Sequence, residues 1–276
     1  MGLSICCTGT SERAEHLRLQ LLSLAKCELP FDVEFVFADD SGDDSIEKIL
    51  EVLVLPFPVT YLRYTSLHPW SNSPYHCPSF GLNLAIKHAK YDAILKVDPE
   101  TYWVGPVLSN IPKLFHPDRV VVGVQFELSE EVTQRLIEGD EPEVLEGKAK
   151  TNSPLLLFSK RRFLLVGGYD EEFMKGSGFE DDELVMRLAK SGAQVLEVPA
   201  FRAFHLWHET RRSYLLFHLN EERFRKKVEM LKRGGSWVAN QDHMWGDPSA
   251  ILKHKVFDAF VDQRWERLKR SAREAE

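Results

Sequence analysis

Along the first hundred residues, short β-rich apolar runs alternate with stretches whose apolar residues return every three or four positions. The runs Leu3–Cys7, Val33–Ala38, Val59–Arg63 and Ala93–Val97 recur about every thirty residues, the length of a βαβ unit. That spacing predicts a parallel sheet. Between the first two runs, Ala14, Leu17, Leu21 and Leu24 form one apolar stripe at helical spacing. After the second, Asp44-Ser45-Ile46-Glu47 reads as a capping box that opens a helix reaching Val54. Leu82, Ala85, Ile86 and Ala89 line one side of a third helix, Phe80–Lys90.

Further on, Val120–Phe126, Leu155–Phe158 and Gln194–Val198 are predicted strands, and Leu128–Lys150 is a polar, acidic excursion suited to a mobile loop, a lid or a short helix. Beyond residue 210 the pattern turns helical at Tyr214–Arg233 and Ile251–Ala275. The expected organisation is an α/β domain over residues 1–210, with halves at 1–105 and 106–210, followed by a helical extension over 211–276.

Composition narrows the class. With 276 residues, 43% hydrophobic and 28% charged, the chain reads as an ordinary globular protein with a sizeable core. No run approaches the ~18 apolar residues of a membrane span, and Met1–Cys7 lacks the basic flank of a signal peptide. A formal charge of −7 argues against a nucleic-acid binder held by phosphate contacts. The basic runs Arg223–Lys227 and Arg264–Arg273 are interleaved with acids and read as solvated helix faces. Cys6, Cys7, Cys27 and Cys77 have no metal spacing and no disulfide density, so reduced, cytoplasmic thiols are expected; adjacent Cys6 and Cys7 in a strand face opposite ways.

Candidate chemistry gathers where strands end, because ligands of such sheets bind beyond the carboxyl ends of the strands. The second strand runs into Asp39-Asp40-Ser41-Gly42, where carboxylates can accept hydrogen bonds from a nucleobase or ribose. The fourth runs into Asp98-Pro99-Glu100, and in an extended segment residues two apart share a face, so both carboxylates can reach one ion such as Mg²⁺ or Mn²⁺. Asn83 is a donor for a phosphate or sugar, or a surface polar residue. Phe204-His205-Leu206-Trp207-His208-Glu209 offers two imidazoles, with His205 favoured as a ligand and His208 as the alternate. Gly167-Gly168-Tyr169-Asp170 precedes four consecutive acids, Glu180-Asp181-Asp182-Glu183, at the start of a helix closed by Gly192. One or two acids complement a helix dipole; four repel one another and point to a site that handles a proton or a cation. No Gly-rich phosphate loop and no nucleophile elbow is present.

Taken in order, the Asp39–Ser45 turn, Asn83, Asp98-Pro99-Glu100, Gly167–Asp170, Gly178–Leu184 and the His205/His208 segment resemble the glycosyltransferases of GT-A fold. The likeness is to family 2 enzymes and the galactosyltransferase-type C-terminal region, and it covers residues 3–210. It implies a Rossmann-like, mostly parallel sheet flanked by helices. It also implies metal-dependent, inverting transfer of a sugar from a nucleoside-diphosphate donor, UDP above all, to the hydroxyl of a glycan or glycolipid. By the same likeness Asp40, with Asp39, holds the uracil or ribose. Asp98 and Glu100 fill the DxD position on the metal, and His205 or His208 is the third ligand. Asp181 is the base, Glu180 contacts a sugar, and Gly168, Tyr169 and Asp182 border the acceptor. Loops such as His68–Pro78 and Leu128–Lys150 are expected to shape the acceptor pocket. A catalytically silent nucleotide- or glycan-binding relative and a sugar nucleotidyltransferase are the competing classes. Peripheral membrane contact through the C-terminal helices, and a homodimer, stay open.

Overall fold

The structure, a computed structural model, describes residues 1–64, 78–209 and 213–260, and the side chains of all of these except 150–154. Strands β1 (Gly2–Gly9), β2 (Asp32–Asp39), β3 (Val59–Tyr64), β4 (Ala93–Lys96), β5 (Thr101–Tyr102), β6 (Arg119–Glu127), β7 (Lys148–Ser159), β8 (Gln194–His205) and β9 (Ile251–Phe257) form one sheet in the order β5-β8-β6-β7-β4-β1-β2-β3-β9. Strands β1 to β4 run parallel, as do β6 and β8, whereas β5, β7 and β9 run antiparallel to their neighbours. Helices α1 (Ala14–Ala25), α2 (Ser45–Val52), α3 (Ser79–His88), α4 (Ile111–Leu114), α5 (Glu130–Ile137), α6 (Lys160–Leu165), α7 (Glu180–Lys190) and α8 (Tyr214–Lys232) complete the described regular structure with a few 3₁₀ turns.

Side-chain alternation divides the core into two layers. Leu3, Ile5 and Cys7 of β1 pack with Leu17, Leu21 and Leu24 of α1 and with Ile46 of α2. Cys6, Val36 and Ile94 point the other way, into Phe80, Leu84, Phe163 and Leu188. Both faces are covered, which is why these strands read as continuous apolar runs rather than alternating ones. All three described cysteines are buried free thiols, and burial pushes Cys27 up to about 11.

Several expectations need correction. Ile251–Phe257 is a strand, not the start of a helix: it pairs antiparallel with Val59–Tyr64. Lysines two apart decide this, because Lys253 and Lys255 project from one face of β9 and both reach Glu47 of α2, at 2.5 and 3.4 Å. Residues 258–260 have no helical structure and the rest of that predicted helix lies outside the described residues, as do Cys77 and all of loop His68–Pro78 but Pro78. The capping box does not form. Asp44 pairs with Arg63, Asp43 accepts from the Ser45 N–H at 2.9 Å, and Glu47 is taken by the β9 lysines. Within Leu128–Lys150, α5 is anchored by Leu128 and Leu136 against Leu19, Tyr102 and Leu206.

The segment after α8 is a strap over the Gly167-Gly168 turn. Asn240, at φ +53°, donates to the carbonyls of Gly167 (2.8 Å) and Tyr169 (2.7 Å) and accepts from Glu171 N–H. From the opposite side Asn83 accepts from Tyr169 N–H at 2.8 Å and donates to Tyr169 O and Glu171 Oε1, both at 2.9 Å. From below, buried Arg187 donates to the carbonyls of Val166 and Gly168, both at 2.7 Å. These bonds fix the path that delivers the chain to α7. Gly168 sits at φ +71°, and a Cβ there would lie 2.4 Å from the Trp245 ring and 2.6 Å from Asn83 Oδ1. Gly168→Ala is therefore expected to cost about 2–4 kcal/mol, read as a drop in the urea midpoint at unchanged m-value; an unchanged midpoint refutes the clamp.

Candidate active site

Lys96 is the last residue of β4, and its direction follows from alternation: Leu95 and Val97 face the α1 layer, so Lys96 faces the α7 layer. Its side chain is 2% exposed, and its Nζ lies 2.9 Å from Asp98 Oδ1 and 2.7 Å from Asp181 Oδ2. Burial alone would push the ammonium down, but the Asp181 and Asp98 charges outweigh it and hold its pKa above the ordinary lysine value. Lys96 is thus a permanent buried cation that ties the end of β4 to the start of α7. The other oxygen of Asp181 accepts from the Tyr169 hydroxyl at 2.7 Å, and burial together with Asp181 keeps that phenol far from ionising.

The four acids opening α7 have four different fates. Asp181 joins Lys96 and Tyr169. Glu183 turns inward to Arg187 at 2.6 Å. Asp182 points outward, and burial with the Asp181 charge raises its pKa. Glu180 keeps a buried Oε2 with no hydrogen-bond partner, and burial followed by the Asp181 charge raises its pKa to about 7. The chain enters the helix through Phe179, a non-glycine residue in the left-handed region at φ +70°. This costs of order 1 kcal/mol or more, and ring contacts with Phe217 (5.0 Å) and Phe224 (5.4 Å) of α8 hold it.

A second cluster lies two residues past Asp98. Glu100, His205 and His208 offer ligand atoms that all fall within 4.8 Å of one another. His205 stands opposite Thr101 in the β5–β8 ladder, and Leu206 N–H bonds to Glu100 O at 2.8 Å, so the backbone itself sets the spacing. Ligands about 2.1 Å from one divalent ion lie ~3–4 Å apart, so a closing of up to roughly 1–2 Å brings these three onto one metal. One carboxylate with two imidazoles suits an ion of the Mn²⁺ kind. Around them His16 Nδ1, Gln20 Oε1 and Thr101 Oγ1 are buried with unfilled hydrogen-bonding capacity, and the His16 ring is 6.3 Å from that of His208. The residues fit a metal. Arg13 already reaches into the cluster, with Nε 2.6 Å from Glu100 Oε1 and a terminal nitrogen 3.0 Å from His208 Nδ1.

Of the residues expected from sequence, Asp98, Glu100, Glu180, Asp181, His205 and His208 gather at this edge of the sheet. Others do not face it. Asp98 is outside the three-ligand cluster because Asp98-Pro99-Glu100 is a turn, closed by Thr101 N–H to Asp98 O at 3.1 Å, rather than an extended run. The turn sends Asp98 to Lys96 and Glu100 to Arg13. Asp39 is fully buried, accepting from Ser41 N–H at 2.9 Å, the Ser41 hydroxyl and the Tyr61 hydroxyl at 2.6 Å; Asp40 alone of that pair reaches solvent. Asn83 is 0% exposed with its amide committed to the turn, so it is no surface donor. Gly168 and Tyr169 are buried, and the Tyr169 hydroxyl is turned to Asp181. Sequence reasoning missed Lys96, Arg13, Arg187 and Asn240. The signal for Lys96 was available: a lysine inside the apolar run Ile94-Leu95-Lys96-Val97 needs a buried counter-charge.

Residues 147–218 match the family described as the N-terminal domain of galactosyltransferase. No curated protein sequence matches the chain. Among solved structures, the chain is similar to the mannosyltransferase PcManGT of Pyrobaculum calidifontis in complex with GDP-Man and Mn²⁺, with 16% identity, TM-score 0.55, and 90% of this chain and 66% of that one covered. It is also similar to TarS of S. aureus, with 18% identity, TM-score 0.55, and 88% and 41% covered, and to its 1–349 fragment with UDP-GlcNAc, with 15% identity, TM-score 0.55, and 83% and 66% covered. The chain therefore spans between about two-fifths and two-thirds of these proteins. The fold is that of GT-A glycosyltransferases.

Two outcomes are expected. Lys96→Met leaves two carboxylates uncompensated and lowers stability by about 2–4 kcal/mol, and adding Asp181→Asn restores part of the loss in urea unfolding; a neutral Lys96→Met refutes the bridge. Because the folded state raises the Glu180 pKa, its stabilising protonated form is complete below the unfolded value and is lost as pH rises through about 7. Glu180→Gln should then melt higher than wild type at pH 8, with the gap closing by pH 4–5; a gap independent of pH contradicts the assignment.

Proposed function

We propose that this chain transfers a sugar, with inversion, from a nucleoside-diphosphate donor, UDP-linked by our reading, to a hydroxyl of a glycan or glycolipid. The observation that carries the reading is the Lys96 bridge: Asp98 at the end of β4 and Asp181 at the start of α7, far apart in sequence, meet at one cation. They meet two residues from a ligand set able to take Mn²⁺ or Mg²⁺. The GT-A fold and the GDP-Man, UDP and UDP-GlcNAc held by its structural neighbours support the donor class.

In this reading Asp40, beyond β2, receives the base or ribose of the donor. Glu100, His205 and His208 hold the divalent ion, which when bound supplies charge neutralisation for the departing diphosphate. The acceptor oxygen bonds to the anomeric carbon as the bond to the diphosphate oxygen breaks, and its proton passes to the Glu180–Asp181 pair. Tyr169 and Lys96 fix Asp181 in place. Each Asp181 oxygen retains a lone pair to orient the acceptor hydroxyl. Glu180, with an unpartnered oxygen and a pKa of about 7, holds a proton near neutral pH. Asp182, outward on the same helix turn, borders the acceptor. No described helix is long and apolar enough to cross a membrane; with three free buried thiols, we place the chain in the cytoplasm, with α8 packed on the catalytic domain through Phe217 and Phe224.

A thermal-shift screen of nucleoside diphosphates and their sugars, with and without Mn²⁺, followed by donor turnover, tests this. UDP or a UDP-sugar should stabilise the protein more with Mn²⁺, and Asp181→Asn should keep that shift while losing turnover by about 10² or more. Binding without turnover in wild type marks a silent relative. Pyrophosphate release marks a nucleotidyltransferase.

A further inference from the structure

Arg13 lies just beyond β1, its backbone N–H bonded to Thr10 O at 2.9 Å, so a tight turn aims its guanidinium across the sheet edge. It meets two of the three candidate ligands at once: Glu100 Oε1 at 2.6 Å and His208 Nδ1 at 3.0 Å. A guanidinium only donates hydrogen bonds. His208 Nδ1 must therefore present its lone pair to Arg13, and the ring proton sits on Nε2, the nitrogen 3.7 Å from Glu100 Oε1. In that tautomer neither ring nitrogen has a lone pair left for a metal. The backbone carbonyl of Glu209 lies 3.1 Å from the same Nδ1 and can take a proton from it only in the other tautomer, the one that frees Nε2 towards Glu100.

On the metal reading above, we propose that Arg13 is an internal cation that competes with the divalent ion: the two are mutually exclusive at Glu100 and His208, and the His208 tautomer changes with the exchange. If the ion takes Nδ1 it displaces Arg13 directly. If it takes Nε2, the ring proton moves to Nδ1, which then donates to Glu209 O and no longer accepts from Arg13. Both routes break the same bond. Glu100 follows, because its Oε1 serves Arg13 and lies nearest His208. Arg13 thereby keeps the buried Glu100 carboxylate and the ligand geometry intact without a metal, at the expense of metal affinity.

The test is Mn²⁺ binding to the purified full chain, read by the loss of free Mn²⁺ signal in electron paramagnetic resonance, with no donor or acceptor needed. Arg13→Gln should bind Mn²⁺ on the order of tenfold more tightly than wild type. Arg13→Lys, whose ammonium can hold Glu100 but not both acceptors, should fall between. Glu100→Gln should weaken binding in either background. In ¹⁵N-histidine spectra of the metal-free protein, wild-type His208 should carry its proton on Nε2 and Arg13→Gln should shift it to Nδ1; His208→Asn identifies the signal. Equal Mn²⁺ affinity in wild type and Arg13→Gln overturns the competition while leaving the metal site standing. Absence of Mn²⁺ binding in both overturns the metal reading and this proposal with it.

Discussion

A single buried ammonium holds the architecture of this site in register. Lys96 stands where the end of the central parallel strand β4 meets the first turn of α7, and it is attractive to carboxylates from both. Without it, Asp98 and Asp181 would repel across a partly desolvated gap, and the helix start would have to move outward. With it, the edge of the sheet and the helix terminus are separated by one cation's width. The Tyr169 hydroxyl on the second Asp181 oxygen and the Arg187–Glu183 pair two positions further on then orient the helix about that point.

The surroundings follow the same rule of compensating charge with built-in groups. Asp98 and Asp181 share Lys96, Glu183 has Arg187, Glu100 has Arg13, and Glu171 accepts from Asn83, Gly246 N–H and the His243 ring. Glu180 departs from this pattern among the acids of the α7 turn. Its unmatched oxygen is the least comfortable group in the cluster, and a strained Phe179 immediately ahead of it marks the same spot. Discomfort at two consecutive residues, directly beside the ion-paired Asp181, is what a reactive position requires.

Much of this was legible in the chain, and what was not has identifiable causes. The first four strands and the first three helices follow their hydrophobic period closely, and Cys6 and Cys7 part to opposite core layers as alternation demands. The acids at the ends of β2 and β4 and at the start of α7 were found because charge at a strand terminus is conspicuous. Which way each one turns was not visible. Asp39 and Asn83 look like ligand contacts in one dimension and are absorbed by Tyr61 and by the Gly167–Tyr169 backbone in three, because those partners lie 22 and 86 residues away. Asp98-Pro99-Glu100 was read as extended, and a single turn hydrogen bond separated its two carboxylates. Ile251–Phe257 was read by the three- and four-residue spacing of its apolar positions, and the Glu47 that Lys253 and Lys255 serve from a strand is some two hundred residues upstream.

That last strand has a consequence beyond the site. Strand β9 caps β3, whose backbone donors and acceptors would otherwise be open, while the opposite border of the sheet is closed by the two-residue β5. Long unpaired borders recruit foreign strands; short or lysine-bearing ones discourage them. A chain shortened ahead of Ile251 would keep every residue of the acidic cluster and yet lay bare six residues of β3 as a template for self-association. Solubility in this protein is therefore guarded by a segment that takes no part in its chemistry.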